Sequence, residues 1–319
     1  MNQTVILPLL AACIISIAAG RLFIPFLRKL KIGQTVRDDG PQTHLKKNGT
    51  PTMGGIIFIF AITIVSLLYI PSNPYILPIL LMMYGFGIIG FVDDYIKVVL
   101  KRSMGLRAWQ KMAGQIVITG IFICYMFLFS GLSLSMYLPF AGGLAIDLGY
   151  WNIPLMFLII LGIVNGVNFT DGLDGQASMV TIAVAAFFTF SAIKLQVGIT
   201  PITAAVAGAL LGFLFYNSHP ASVFMGDTGS LALGGFVAGA AYILREPVFI
   251  AIIGFIYLIE VVSVILQVGY FKLTHGKRIF KMAPIHHHFE KCGYAETKVA
   301  AAFALVTVIL CFAACLGIK

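Results

Sequence analysis

Acidic side chains are scarce in this sequence, twelve among 319 residues, and five of them fall in three short glycine-bearing segments. Asp93 and Asp94 lie in Gly90-Phe91-Val92-Asp93-Asp94-Tyr95-Ile96-Lys97. Asp171 and Asp174 lie in the run from Asn165 to Gly175, and Asp227 lies in Phe224-Met225-Gly226-Asp227-Thr228-Gly229-Ser230. Clustered carboxylates repel one another unless a proton or a cation lies between them. A hard divalent ion answers that repulsion, and Mg²⁺ pairs carboxylates with the phosphates of a substrate. Lysines close to such a cluster suit phosphate oxygens as point charges. The chemistry open to this set is cation-assisted work on a phosphorylated substrate.

Two further segments could contribute. His286, His287 and His288 are consecutive in a basic stretch. Adjacent side chains point in different directions, so binding of a diphosphate by the imidazoles fits better than three ligands to one metal. The run His44 to Gly55 brings Lys46 and Lys47 ahead of Gly49-Thr50-Pro51-Thr52, a segment that could aim backbone N–H groups at an anion. Glu260 is the one acid deep in an apolar run. An ionisable group there is either functional or hydrogen-bonded to a neighbouring helix.

The elements that must carry these residues are legible in the composition. Hydrophobic residues make up 60% and charged residues 10% of the chain, with a mean hydropathy of +0.99. Soluble domains carry about 25% charged residues. This balance excludes a soluble enzyme, a disordered chain and a disulfide-built secreted domain. It predicts an all-α polytopic membrane protein, one integral-membrane domain over residues 1–319. The predicted spans are about ten, near 4–24, 53–71, 76–92, 112–130, 153–169, 177–194, 201–217, 229–244, 248–270 and 296–317. Alternating apolar residues around 131–152 predict a small outer β-hairpin. No cysteine spacing suggests a metal or disulfide framework.

The net charge of +9 is topological on this reading and does not indicate nucleic acid. With the N-terminus outside, the connections after spans one, three and nine hold seven, five and six basic residues, 18 of the 21 Lys and Arg. Both termini are then extracytoplasmic. All five clustered Asp fall on the cytoplasmic face, a coincidence that hydropathy and the Lys and Arg positions do not themselves require.

These motifs resemble the phospho-N-acetylmuramoyl-pentapeptide transferases, a branch of the polyprenyl-phosphate N-acetylhexosamine-1-phosphate transferase superfamily. The Asp93 to Lys97 run, the Asn168 to Asp174 segment and Gly226-Asp227 carry the superfamily pattern. Gly49-Thr50-Pro51-Thr52-Met53-Gly54-Gly55 and Ala283-Pro284-Ile285-His286-His287-His288-Phe289-Glu290-Lys291 look specific to the branch. Cys292-Gly293-Tyr294 departs from relatives that carry a second Lys and a Trp, and leaves the histidines intact.

The resemblance implies ten spans with both termini outside. It also implies transfer of phospho-MurNAc-pentapeptide from UDP-MurNAc-pentapeptide to undecaprenyl phosphate, giving lipid I and UMP in the bacterial cytoplasmic membrane. It implies Mg²⁺ on Asp227, with Asp93 and Asp94 as further ligands, and catalytic roles for Asp93, Asp94, Asp227, Lys97 and His286. Substrate contacts would come from Lys47, Thr52, Lys111, Asn165, Asn168, Asp171, Asp174, Asn217, Phe224, Gln267, His287 and His288. Membrane lipid, a homodimer partner and nucleoside antibiotics as inhibitors are implied as well. A lipid phosphate monoester is largely ionised at neutral pH, having a second pKa of about 6 by analogy with phosphoserine. Direct attack by that phosphate is therefore favoured over an Asp-phosphate intermediate. The alternatives are a sister enzyme using UDP-GlcNAc, a transporter of anionic solutes or lipids, and a lipid-binding scaffold.

Overall fold

The computed structural model describes residues 2–29, 49–102 and 104–318. Helices form along the apolar runs because a backbone without water must satisfy its own N–H and C=O groups. In chain order they are α1 (Asn2–Lys29), α2 (Gly55–Leu67), α3 (Ile76–Val98), α4 (Ala108–Leu128), α5 (Asn152–Thr170), α6 (Gln176–Lys194), α7 (Thr200–Asn217) and α8 (Gly226–Ile243). There follow α9 (Ile250–Ile253), α10 (Phe255–Leu273), the short α11 (Ile285–Lys291) and α12 (Glu296–Cys315). Between α4 and α5, β1 (Met136–Tyr137) pairs antiparallel with β2 (Ala145–Ile146), with Met136 opposite Ile146. This is the hairpin expected at 131–152.

Each predicted span holds a helix, and among the described residues eight helices are long and apolar enough to cross a membrane. The other two have a physical reason for falling short. Helix α2 has only 13 residues. Helix α8 stands at the centre, packed on α2, α3, α5 and α6, and is buried from Thr228 to Ile243. A helix with no lipid-facing side can use Gly and Ala where others need Leu and Ile. The ninth predicted span is broken at Gly254, which separates α9 from α10.

Close helix approach sets the layout. Helices α3 and α8 run antiparallel, with Gly87 against Ala232, Gly235 against Met82 and Gly239 against Ile79. Helix α1 runs parallel to α7, with Leu9 on Gly208 and Cys13 on Gly212, and the Tyr216 hydroxyl donates to the Ile17 carbonyl at 2.8 Å. Lipid is as apolar as the side chains it would replace, so contact and small residues carry such packing. The α3–α8 pair brings the C-terminal end of α3 to the N-terminal end of α8, and the acidic segments meet there.

The hairpin sits at the opposite end, pinned by Arg245. The Arg245 guanidinium donates to the Ser135 carbonyl (3.0 Å), the Ser135 hydroxyl and the Tyr137 hydroxyl (3.3 Å), and lies 4.6 Å from the Tyr137 ring centroid. The Tyr137 N–H donates to the Arg245 carbonyl at 2.8 Å. Arg245→Ala is expected to cost roughly 1–3 kcal/mol through the lost charged hydrogen bonds and ring contact. A lower thermal midpoint with faster proteolysis inside 131–152 would show this, and an unchanged cleavage rate would reject the pin.

Candidate active site

The site is built where four helix ends converge. The last turns of α3 carry Asp93, Asp94 and Lys97, the first turn of α4 carries Lys111, the last two turns of α5 carry Asn165 and Asn168, and the first turn of α8 carries Asp227. Asp227 is the junction. Its Oδ2 accepts from Lys97 Nζ at 2.9 Å and Lys111 Nζ at 3.0 Å, and its Oδ1 accepts from Asn168 Nδ2 at 2.8 Å. Asn168 Nδ2 also donates to Ser230 Oγ at 2.8 Å, whose own hydroxyl donates to the Gly226 carbonyl at 3.0 Å.

The adjacent aspartates on α3 do different work. Asp94 is buried, and both of its oxygens cap α8. Its Oδ1 accepts from the Asp227 N–H at 3.2 Å, and its Oδ2 accepts from the Thr228 N–H at 2.9 Å and the Thr228 hydroxyl at 2.6 Å. The first N–H groups of a helix have no partner of their own, and the helix dipole favours an anion beside them. Here the cap comes from another helix, 133 residues away in sequence. Gly226 makes the tight entry into α8 at φ +70°, where a side chain would also strike Asp94 Oδ2 and Thr52 Oγ1. Asp93 accepts from the Leu106 N–H through Oδ1 and pairs with Lys97 through Oδ2.

Carboxylate oxygens of Asp93, Asp94 and Asp227 lie within 4.8 Å of one another. Three formal negative charges face two lysine ammonium groups, an imbalance of one. An all-oxygen donor set with unbalanced negative charge suits a hard divalent cation. Asp227 is the most accessible of the three, its side chain 18% exposed against 3% for Asp93.

The surrounding sequence-derived residues fall into three groups. Thr52 is buried beside Gly226, and the strand-like stretch around it is held by Phe224 N–H to Pro51 O (2.8 Å) and Gly54 N–H to Phe224 O (2.8 Å). Asn217 is also buried, accepting from Ser178 Oγ at 2.9 Å and donating to the Val223 carbonyl at 3.0 Å, so it staples the loop that leads to half-buried Phe224. Lys47 lies outside the described residues.

The second group is tied to partners that sequence reading missed. Asn165 Nδ2 donates to Gln115 Oε1 at 2.8 Å, one helical turn beyond Lys111 on α4. Asp174 Oδ2 lies 3.0 Å from His219 Nδ1 and accepts from the Ala221 N–H at 3.1 Å, while the Asp174 N–H donates to Glu296 Oε1 at 2.7 Å. Asp171 is half-exposed at the end of α5.

The third group surrounds α11. His286 is fully buried, with Nδ1 2.9 Å from Glu260 Oε1. His287 pairs with Glu290 at 2.8 Å, and His288 Nδ1 accepts from the Lys281 N–H at 3.1 Å. Gln267 spends its amide on the 279–280 backbone, with Oε1 accepting from the Ile279 (3.1 Å) and Phe280 (2.9 Å) N–H groups and Nε2 donating to the Phe280 carbonyl (3.1 Å). Of the partners these histidines and Gln267 find, Glu260 alone stood out in advance, as a lone acid in an apolar run.

Comparison with known proteins fits this geometry. Glycosyl transferase family 4 matches residues 76–245, the stretch from α3 to the end of α8 that holds all three clustered aspartates. The first phospho-N-acetylmuramoyl-pentapeptide-transferase signature matches residues 47–59. A curated phospho-N-acetylmuramoyl-pentapeptide-transferase from Caldanaerobacter subterraneus subsp. tengcongensis is 50% identical over 98% of both chains. The chain belongs to the phospho-N-acetylmuramoyl-pentapeptide-transferase family. Family members of the same name from Clostridioides difficile (52% identical over 94% of both chains) and Clostridium botulinum (48% identical over 98% of this chain and 95% of the relative) agree. Because the likeness runs from end to end, it covers α11 and α12 as well as the acidic cluster.

Proposed function

We propose that this chain transfers phospho-MurNAc-pentapeptide from UDP-MurNAc-pentapeptide to undecaprenyl phosphate, producing lipid I and UMP. The observation that carries the reading is Asp227, held by two lysines from α3 and α4 and an asparagine from α5 beside two more carboxylates. Lysine ammonium groups this close to a carboxylate are poised to exchange it for phosphate oxygens. The positive-inside distribution of 18 of 21 basic residues supports a cytoplasmic position for this end of the bundle, with ten crossings and both termini outside, and the family supports the bacterial cytoplasmic membrane. A nucleotide substrate then reaches the site from the cytoplasm and a polyprenyl phosphate from the bilayer.

Asp227, with Asp93 beside it, would hold Mg²⁺, which when bound supplies Lewis-acid neutralisation of the diphosphate. The chain's own residues do the rest. A lipid phosphate oxygen attacks the β-phosphorus, the bond to the oxygen bridging the α-phosphorus breaks, and UMP leaves with the electron pair. Lys97 and Lys111 offset the charge that grows on the leaving phosphate. Asn168 fixes Asp227 in orientation, and Asp94 fixes the helix that carries it. Both Asp94 oxygens are committed to capping, and Asp93 is held by Leu106 and Lys97, which favours the lipid phosphate over an Asp side chain as nucleophile. The Asp171–Asp174 turn, continuous with Asn168, is the nucleotide-side wall. A transporter would need charges near the midplane, whereas the clustered carboxylates collect at one end of the bundle and only Glu260 fits transport.

The test is UMP release by detergent-solubilised full-length protein. Release should require UDP-MurNAc-pentapeptide, undecaprenyl phosphate and Mg²⁺, and should stop on chelation and resume on adding the metal back. Equal turnover of UDP-GlcNAc would move the reading to the sister activity. Folded protein that releases no UMP would overturn it.

A further inference from the structure

Glu260 and Gln176 have no part in the transfer chemistry above, and together with His286, for which the resemblance implies a catalytic role, they join three distant elements. Glu260 Oε1, on α10, takes His286 Nδ1 from α11 at 2.9 Å and Gln176 Nε2 from the start of α6 at 3.2 Å. All three residues are completely buried. A carboxylate removed from water persists only with close polar partners, and apolar residues of similar volume would often pack at least as well. Stability alone is therefore a weak reason for this cluster. It is also unsaturated: Glu260 Oε2, Gln176 Oε1 and His286 Nε2 have no hydrogen-bond partner among the described residues.

The direction of the His286 ring shows what the cluster touches. Its Nε2 edge lies in the space a side chain at Gly172 would fill, so any Cβ there would overlap the ring. Gly172 is the second residue of the five-residue turn, 171–175, that joins α5 to α6, and Gln176 is the first residue beyond it. Glu260 thus holds this turn at two points, just past its far end through Gln176 and near its start through His286. The same turn carries Asp171 and Asp174, and Asn168, three residues before Asp171, holds Asp227.

We propose that Glu260 is a positioning residue that presets the 171–176 turn for the nucleotide substrate, acting through His286 and Gln176. This rests on the transferase reading and on that turn as the nucleotide-side wall. An acceptor carboxylate calls for the proton on Nδ1 of His286.

The experiment measures steady-state UMP release by full-length wild type, Glu260→Gln and Gly172→Ala, with thermal midpoints, varying each substrate in turn. Wild-type turnover is the control: its absence would strike the transferase reading and leave Glu260 undecided only until the spectroscopic arm below is read. Glu260→Gln keeps the shape and removes the charge. Its KM for UDP-MurNAc-pentapeptide should rise about tenfold or more, the scale of outer-shell substitutions, with kcat and the KM for undecaprenyl phosphate nearly unchanged. Gly172→Ala pushes on His286 from the other side and should give the same signature. The double variant should lose less than the product of the two, since both act through one ring. A fall in kcat with both KM values unmoved is what a structural role predicts, and would overturn the proposal. The spectroscopic arm needs no variant to fold: ¹⁵N NMR of histidine-labelled wild type should show His286 protonated at Nδ1, and an unprotonated Nδ1 would overturn it independently.

Discussion

Asp227→Asn is expected to abolish UMP release while leaving the protein folded. The substitution keeps the size of the side chain and an oxygen for Asn168, but it removes the charge at the point where Lys97, Lys111 and Asn168 converge. Two effects add. The residue loses the anionic oxygen a hard cation prefers, and the lysines lose the partner that aims them. Electrostatic contacts of this kind are worth about 10²–10³-fold each in rate. A loss of at least about 10³-fold is therefore expected, roughly 4 kcal/mol of transition-state stabilisation. Size-exclusion profile and thermal midpoint should stay close to wild type, because Asp94 caps α8 through backbone N–H groups that the substitution keeps. Turnover within tenfold of wild type would reject Asp227 as the junction.

Gly90→Ala, a change of one methyl group with no charge involved, should be nearly as damaging. A Cβ at Gly90 would overlap the carbonyl of Asp227 and lie 2.7 Å from the Thr228 nitrogen. Neither atom can move alone, since both belong to the first turn of α8 that Asp94 caps from α3. Helices α3 and α8 must separate, and overpacking of this kind costs about 1–3 kcal/mol. The separation also draws Asp227 away from Asp93, and a displacement of about 1 Å at a reacting centre costs roughly 10²-fold in rate. A lower thermal midpoint and a fall in UMP release should appear together. Gly162→Ala on α5 is the control, because nothing lies within 4 Å of a Cβ there. If Gly90→Ala behaves like Gly162→Ala, the close approach of α3 and α8 does not govern the site.

These two predictions draw on different sources of information. Asp227 was visible in the sequence as an acid in Phe224-Met225-Gly226-Asp227, following an apolar run and falling on the same predicted face as Asp93, Asp94, Asp171 and Asp174. Gly90 is one of 33 glycines, and nothing in its spacing marks it. Its role depends on which helix lies across α3 and at what depth.

Asp94 shows the same boundary more sharply. Beside Asp93 in sequence, it reads as a second ligand or acid. In the fold it is the cap of a helix that begins 132 residues later. Glu260 stood out as an intramembrane acid in need of a partner, but only the fold supplied His286 and Gln176. Gln267, implied as a substrate contact, has its amide on the backbone of 279–280. The Asp174–His219–Glu296 group joins three segments with no common motif.

By itself, then, the sequence determined that this chain lives in a membrane, where its helices and hairpin lie, and that its clustered acids share one end. These follow from hydropathy and charge summed over short windows, and the bilayer enforces them with few exceptions. Only the tertiary structure decided which aspartate is the junction, which one is a cap, and what the buried histidine holds. Those assignments depend on the rotation and depth of helices packed against each other. In lipid those are set by close contact of small residues and by individual polar pairs between positions far apart in the chain.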